Sequence, residues 1–327
     1  MILKIALITM FIYFILLILF GEMREKEPTF NFIQDMEHFN ATLAQLLKPR
    51  YTGALGHEQV IDFLMAHLKE LGFSAIADDF YVDAYFTNVM GIWNKNAEEF
   101  LVLSCHFDSQ NPGEGDNATY LGATDGAVPC AIILNVAKTL GPYLRSSLRS
   151  RPDIGIVLVF FDNYKPLPKY HVDLNVYGGS RHFIMNEPIP LHKIMLLIHF
   201  NFIGAANQTY KSGFEETNYL HDKIADIERE LQASGEIEGS HILFQKEPIQ
   251  YYGLQGDFYP FYKHDVPVLN IAPEHFLEFH NTPGDNVDKL HWPTISNMIK
   301  IMQKFVHGVL DNSVFEWDDT FHIYHDT

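Results

Sequence analysis

The chain has 327 residues, with 23 Lys+Arg against 41 Asp+Glu for a formal charge of −18, 47% hydrophobic residues and only 2 Cys. So apolar a chain must bury a core, which excludes disorder, and two cysteines exclude a disulfide scaffold. The acidic balance excludes a phosphate-binding surface, so nucleic acid is not a partner.

From Ile5 to Phe20 the sequence reads IALITMFIYFILLILF behind Lys4. It lacks the polar periodicity of a core helix and reads as a membrane-entry segment. As a helix it spans about 24 Å, short of the ~30 Å hydrocarbon core. Ile18 and Phe20 make a poor peptidase site before Gly21. Residues 1–21 are therefore a signal peptide or an uncleaved signal anchor. The remainder is expected in the secretory pathway, either secreted or held in the Golgi or ER membrane by that segment alone. Sequons at Asn40, Asn117 and Asn207 suit glycosylation there. Cys105 and Cys130, 25 positions apart, suit one disulfide, with two buried thiols as the alternative.

Residues 30–311 show no composition break or repeat and read as one domain, followed by an acidic aromatic tail, 312–327. The stretches Asn31 to Leu47 and His57 to Leu71 are helical; in the second, Val60, Leu64, Leu68 and Leu71 form one stripe and Gly72 stops it. Short apolar runs follow at Asn88–Trp93, Phe100–Cys105, Ile154–Phe161, Ile194–Phe202 and Val266–Ile271, as expected of strands buried on both faces. Helical segments at Ala127–Leu140, Phe214–Gln232 and Pro293–Leu310 alternate with them. The alternation predicts an α/β fold, a single globular domain with a central, mostly parallel mixed β-sheet flanked by helices. Ligands of such folds bind beyond the carboxyl ends of the strands.

Polar residues gather at those ends. One strand runs into His106-Phe-Asp108, and GATDGAVPCA (Gly122 to Ala131) opens the next helix. Another ends Phe160-Phe161-Asp162, a third runs through His199-Phe-Asn201, and Gln255-Gly-Asp257 and Phe279-His280 stand near the C-terminus. Together and in this order they resemble the glutaminyl-peptide cyclotransferases, the glutaminyl cyclases, which are similar to the zinc aminopeptidase fold. The resemblance covers roughly residues 31–310 and is most specific in GATDGAVPCA, where the family has Ser in place of Gly126.

The resemblance implies a reaction in which the α-amine of an N-terminal glutamine attacks its own side-chain amide, closing pyroglutamate and expelling ammonia. It implies one zinc held by Asp, Glu and His, a second Glu as proton shuttle, two supporting Asp residues and an aromatic pocket. It also implies a Cys105–Cys130 disulfide. Asp125 and His280 match two zinc ligands. The family's Glu-Glu pair, however, is replaced by Tyr164-Lys165: Tyr164 holds the shuttle position and Lys165 the third ligand position. Asn201 stands where one supporting Asp belongs, while Asp257 keeps an acid in the segment that supplies the other. Phe279 and Tyr170 stand where pocket tryptophans are expected.

An ammonium has no lone pair for a metal, and a phenol is a poor acceptor from an amine. The expectation is therefore a family protein with weak or absent zinc binding and impaired catalysis, with the Lys165 ammonium paired to Asp125 in place of the metal. Peptides with N-terminal Gln would be its substrate or ligand. The alternatives are an active cyclase with a rearranged site and a non-catalytic binder of peptide N-termini. His106-Phe-Asp108 also resembles the opening of a two-zinc aminopeptidase site, a reading that needs the missing glutamates too. For His106 itself the expectation is a hydrogen-bonded scaffold role.

Overall fold

The apolar runs become strands of one mixed sheet in the computed structural model, which describes residues 33–113, 115–164, 177–248 and 255–314. Residues 1–32, Lys165, Tyr170 and the tail from 315 lie outside the described residues, and the expectations placed on them stay as stated. In chain order come α1 (Met36–Leu46), α2 (Leu55–Glu70), β1 (Ser74–Tyr81), β2 (Tyr85–Trp93), β3 (Glu99–His106), α3 (Val128–Ser146), β4 (Ile154–Phe161) and α4 (Gly178–Asn186). Then follow β5 (Ile194–Phe200), β6 (Tyr210–Lys211), α5 (Asn218–Ala233), β7 (Phe244–Gln245), α6 (Phe258–Tyr262), β8 (Val268–Ile271) and α7 (Trp292–Leu310).

Six strands form the main sheet in the order β1-β2-β4-β3-β5-β8, and β6 and β7 pair separately. β1, β2 and β4 are antiparallel neighbours, whereas β4, β3, β5 and β8 run parallel. All of β4 is buried, as a continuous run of Ile, Val, Leu and Phe demands when helices cover both faces. The expected α/β architecture with a mixed sheet is what forms. β1 was not foreseen, because its SAIADDFY is half polar and exposed at the sheet edge.

Strand alternation decides which residues reach the site. Val102, Val157, Val159, Phe161, Leu197 and Val268 belong to a core cluster with Phe183 of α4 and with Phe258 and Phe261 of α6. The period of two then places Ser104 and His106 of β3 and His199 of β5 on that same face, with His106 ending β3 and Asn201 directly after β5. Cys105 points to the opposite face, where Cys130 of α3 meets it. The structure holds these two as separate buried thiols, and Cys130 Sγ donates to the His106 carbonyl at 3.3 Å.

Candidate active site

The carboxyl ends of the parallel strands bring together most of the described residues that the sequence singled out. Asp125 lies in a wide turn, Ala123–Ala127, with non-helical φ and ψ of −102° and 79°. Gly126 beside it has φ 106°, a region in which side chains are strained, and a Cβ there would stand 3.0 Å from the His106 carbonyl. Asp285 holds the turn from outside: its carboxylate accepts from Thr124 N at 2.9 Å and from Asp125 N at 3.1 Å. From below, the fully buried Arg50 donates to the carbonyls of Leu46, Phe107, Leu121, Gly122 and Asp125. One guanidinium thus ties the end of α1, the exit of β3 and the Asp125 turn into one unit.

His106 is fully buried between two acids. Its Nε2 donates to Asp125 Oδ1 at 2.9 Å and its Nδ1 to Asp108 Oδ1 at 3.2 Å. Burial opposes the charge, but the Asp125 carboxylate and the hydrogen bonds to Asp108 and Asp125 outweigh it and lift the imidazole to about 10. His106 is thus hydrogen-bonded through both ring nitrogens, to Asp108 and to Asp125. A group raised on folding stabilises the fold fully below its unfolded value of 6.5 and loses that contribution as pH rises through about 10. Stability should therefore fall between these two pH values by on the order of a few kcal/mol. Urea titrations of wild type and His106→Asn check this, the variant showing a flatter dependence.

Tyr164 fills the space over His106. Asn163 before it takes a left-handed φ of 57°, which asparagine tolerates. The phenol ring stacks on His106 with centroids 4.0 Å apart and planes 11° from parallel. Its backbone N–H donates to Asp108 Oδ1 at 3.3 Å, and its oxygen accepts from Asn201 Nδ2 at 3.3 Å. Burial first, then the charges of Asp125 and Asp257, push the phenol well above its usual range, so it stays neutral. Tyr177 packs against it at 5.2 Å and is pushed up to about 12 by burial and Asp257. Asp257 itself is fully buried just before α6.

His280 approaches the second oxygen of Asp125, with Nδ1 to Oδ2 3.8 Å apart, while its Nε2 accepts from Asn281 Nδ2 at 2.9 Å. Phe202 meets its ring edge-on and the exposed Phe276 stacks over it at 5.0 Å. Phe279 is half-buried with the Lys289 ammonium 5.6 Å over its ring. Asp125 and His280 are therefore adjacent, as two ligands of one cation must be. Among the described residues no third Asp, Glu, His or Cys completes a metal-holding group with them. Among the described residues these two donors are one short of the three that a catalytic zinc takes from its protein.

Sequence reasoning missed Arg50, Asp285 and His57, the partner of the strand-end Asp162; the His57 Nε2 and the Asp162 Oδ2 are 2.8 Å apart. Asp162 also accepts from Thr87 N at 2.9 Å, so it anchors the strand end rather than reaching into the site. The three sequon asparagines, Asn40, Asn117 and Asn207, are all exposed.

A mixed α/β sheet with acids and histidines at the carboxyl ends of its parallel strands is the frame of zinc aminopeptidase-like folds, and a family model described as Peptidase family M28 matches residues 88–306. Within that class the chain is 30% identical to the glutaminyl-peptide cyclotransferase of Drosophila melanogaster, an alignment covering 86% of this chain and 83% of the relative. It is 31% identical to that of Bos taurus, covering 83% and 81%. The crystal structure of Macrostomum lignano glutaminyl cyclase superposes with a TM-score of 0.75 at 26% identity, covering 85% of this chain and 90% of that one. The chain belongs to the glutaminyl-peptide cyclotransferase family, whose members are zinc-dependent.

Proposed function

We propose that this protein is a catalytically impaired glutaminyl cyclase that keeps the family's pocket for peptide amino termini. The observation that carries this reading is Tyr164: its ring lies on His106 and its oxygen on Asn201, where the family's shuttle carboxylate would stand. A neutral phenol in that place offers no base for the attacking amine. Asp125 and His280 are two donors where the metal needs three, and Lys165 contributes an ammonium at the third position. What remains is rich in anions. Asp108, Asp125, Asp257 and Asp285 are buried around one imidazolium and one guanidinium, which favours a cationic guest such as a peptide α-ammonium. The hydrophobic run at residues 5–20 supports a place in the secretory pathway, whose oxidising lumen would favour a Cys105–Cys130 disulfide.

The test is to incubate the purified chain with a peptide bearing N-terminal Gln and follow ammonia loss by mass, with zinc measured after dialysis. The expected result is less than stoichiometric zinc and a rate lower than that of an active relative by a factor on the order of 10² to 10⁴. Stoichiometric zinc with family-like turnover would sink the reading. Saturable peptide binding without turnover supports the retained pocket.

A further inference from the structure

Tyr164 reaches His106 from a turn that is held from below. Asn163, just before it, has φ 57°, and its side-chain nitrogen is buried with no hydrogen-bond partner among the described residues. The bracing comes from Asp162, fully buried after β4. Its Oδ1 accepts from Asn163 N at 2.8 Å, and its Oδ2 accepts from Thr87 N at 2.9 Å and from His57 Nε2 at 2.8 Å. Donors from the turn, from β2 and from the first turn of α2 thus meet on one carboxylate. The Asp162 backbone is fixed as well, its N–H donating to Asn88 Oδ1 at 3.1 Å and its carbonyl accepting from Gly179 N at 3.1 Å. His57 is itself buried and stacks on Phe107, next in the chain to His106, with centroids 5.4 Å apart.

The histidine decides whether that carboxylate keeps its charge. Burial pushes Asp162 above the usual carboxylate range and Asp108 adds to the push, while the hydrogen bond and charge of His57 and the Thr87 N–H pull it down. On His57 burial works against the charge. The hydrogen bond to Asp162 and the charges of Asp162, Asp108 and Glu58 outweigh it and raise His57 above the ordinary histidine value. At neutral pH the pair therefore stands as imidazolium and carboxylate, and Asp162 accepts through both oxygens. Without the imidazolium the buried acid takes up a proton, one oxygen becomes a donor, and either Asn163 or Thr87 loses its acceptor.

We propose that His57, acting through Asp162, is the positioning residue that holds Tyr164 over His106, and that the stacked phenol screens a cationic guest from the His106 imidazolium. The screening rests on the reading of the pocket as a site for peptide amino termini; the positioning does not. The phenol ring lies 4.0 Å from the imidazole and nearly parallel to it, so its π-face takes up the imidazolium charge on that side. Once the turn moves, an α-ammonium approaching Asp125 meets a second cation in place of an aromatic ring.

Nuclear magnetic resonance of the chain with isotope-labelled histidine reads the stacking directly. The His106 Cε1–H signal, assigned by its loss in His106→Asn, should lie upfield in the wild type because it sits against the face of Tyr164. Tyr164→Leu supplies its unstacked position. His57→Leu should move the signal to that position and weaken binding of a peptide with N-terminal Gln at least tenfold. His57→Gln, whose amide keeps an N–H within reach of Asp162, should leave signal and affinity near wild type. Asp162→Asn is isosteric, opens no cavity and should unstack the ring as His57→Leu does, which keeps the positioning testable if the leucine variant does not fold. A wild-type signal in Asp162→Asn or in folded His57→Leu, or equal displacement in His57→Gln, would overturn the positioning. Unstacking with unchanged peptide affinity would overturn the screening. A wild type that binds no peptide would overturn the pocket reading and the screening with it, while the histidine signal still decides the positioning.

Discussion

Tyr164→Glu combined with Lys165→Glu is expected to bring back both zinc and turnover. The double change returns a third oxygen donor beside Asp125 and His280, whose facing atoms already stand 3.8 Å apart. It also removes the phenol that stacks on His106 at 4.0 Å and puts a carboxylate within reach of an incoming amine. Acid–base assistance alone is worth about 10² to 10⁴-fold, so a gain on the order of 10²-fold over wild type is a modest expectation. Asn201 limits it, because an amide replaces one supporting acid, and Asn201→Asp added to the pair should raise the rate again. Losing the stacked ring costs stability of about 1 kcal/mol. The readouts are zinc per chain after dialysis and the initial rate of ammonia loss from a Gln peptide. If the triple variant gains neither, the impairment does not reside at these positions, and the proposed reading fails in its chemistry though not in the family assignment.

Arg50→Ala is expected to be the most damaging single substitution for the fold. The guanidinium is fully buried and donates to carbonyls on three separate segments, including those of Leu46, Phe107 and Gly122. Truncation leaves these acceptors desolvated without donors, at about 1–3 kcal/mol each, and opens a cavity besides. The sum is on the order of 5 kcal/mol, comparable with the whole stability of many domains. Arg50→Lys should rescue little, since an ammonium cannot reproduce the planar fork. Soluble yield and the urea midpoint measure both variants. An Arg50→Ala midpoint close to wild type would show that water can replace the guanidinium there.

Much of this architecture was legible because burial on two faces leaves a plain signature. The eight residues from Ile154 to Phe161 are all apolar or glycine, and they form β4 with the bounds read from the sequence. Asp125, His280, Asn201 and Asp257 were legible because the segments around them, taken together and in order, resemble the motifs of a known family; of the four only Asn201 directly follows a strand. Others were not. β1 carries Asp78 and Asp79 and has only one half-covered face, so its alternation is blurred. α4 starts with Gly178 and Gly179, which read as a loop. Gly179 is there because a Cβ would stand 2.4 Å from the Asp162 carbonyl, against which the helix docks. Arg50 and Asp285 carry no local pattern at all. Their roles arise only when segments 57 to 161 residues apart close on one another, a property of tertiary contact that periodicity cannot encode.

The two outer strands of the sheet bear on the protein's solubility. An open sheet exposes unpaired backbone groups along each outer strand, and these invite another chain to add on. Here one outer strand, β1, sets Asp78 and Asp79 in its middle, so a second copy pairing alongside would place like charges side by side. The other, β8, is four residues long, and Thr217 at the start of α5 donates its hydroxyl to the Val268 carbonyl at 2.6 Å. With one border charged and the other short and hydrogen-bonded by a neighbouring helix, both edges of the main sheet oppose the addition of a further strand from a second chain.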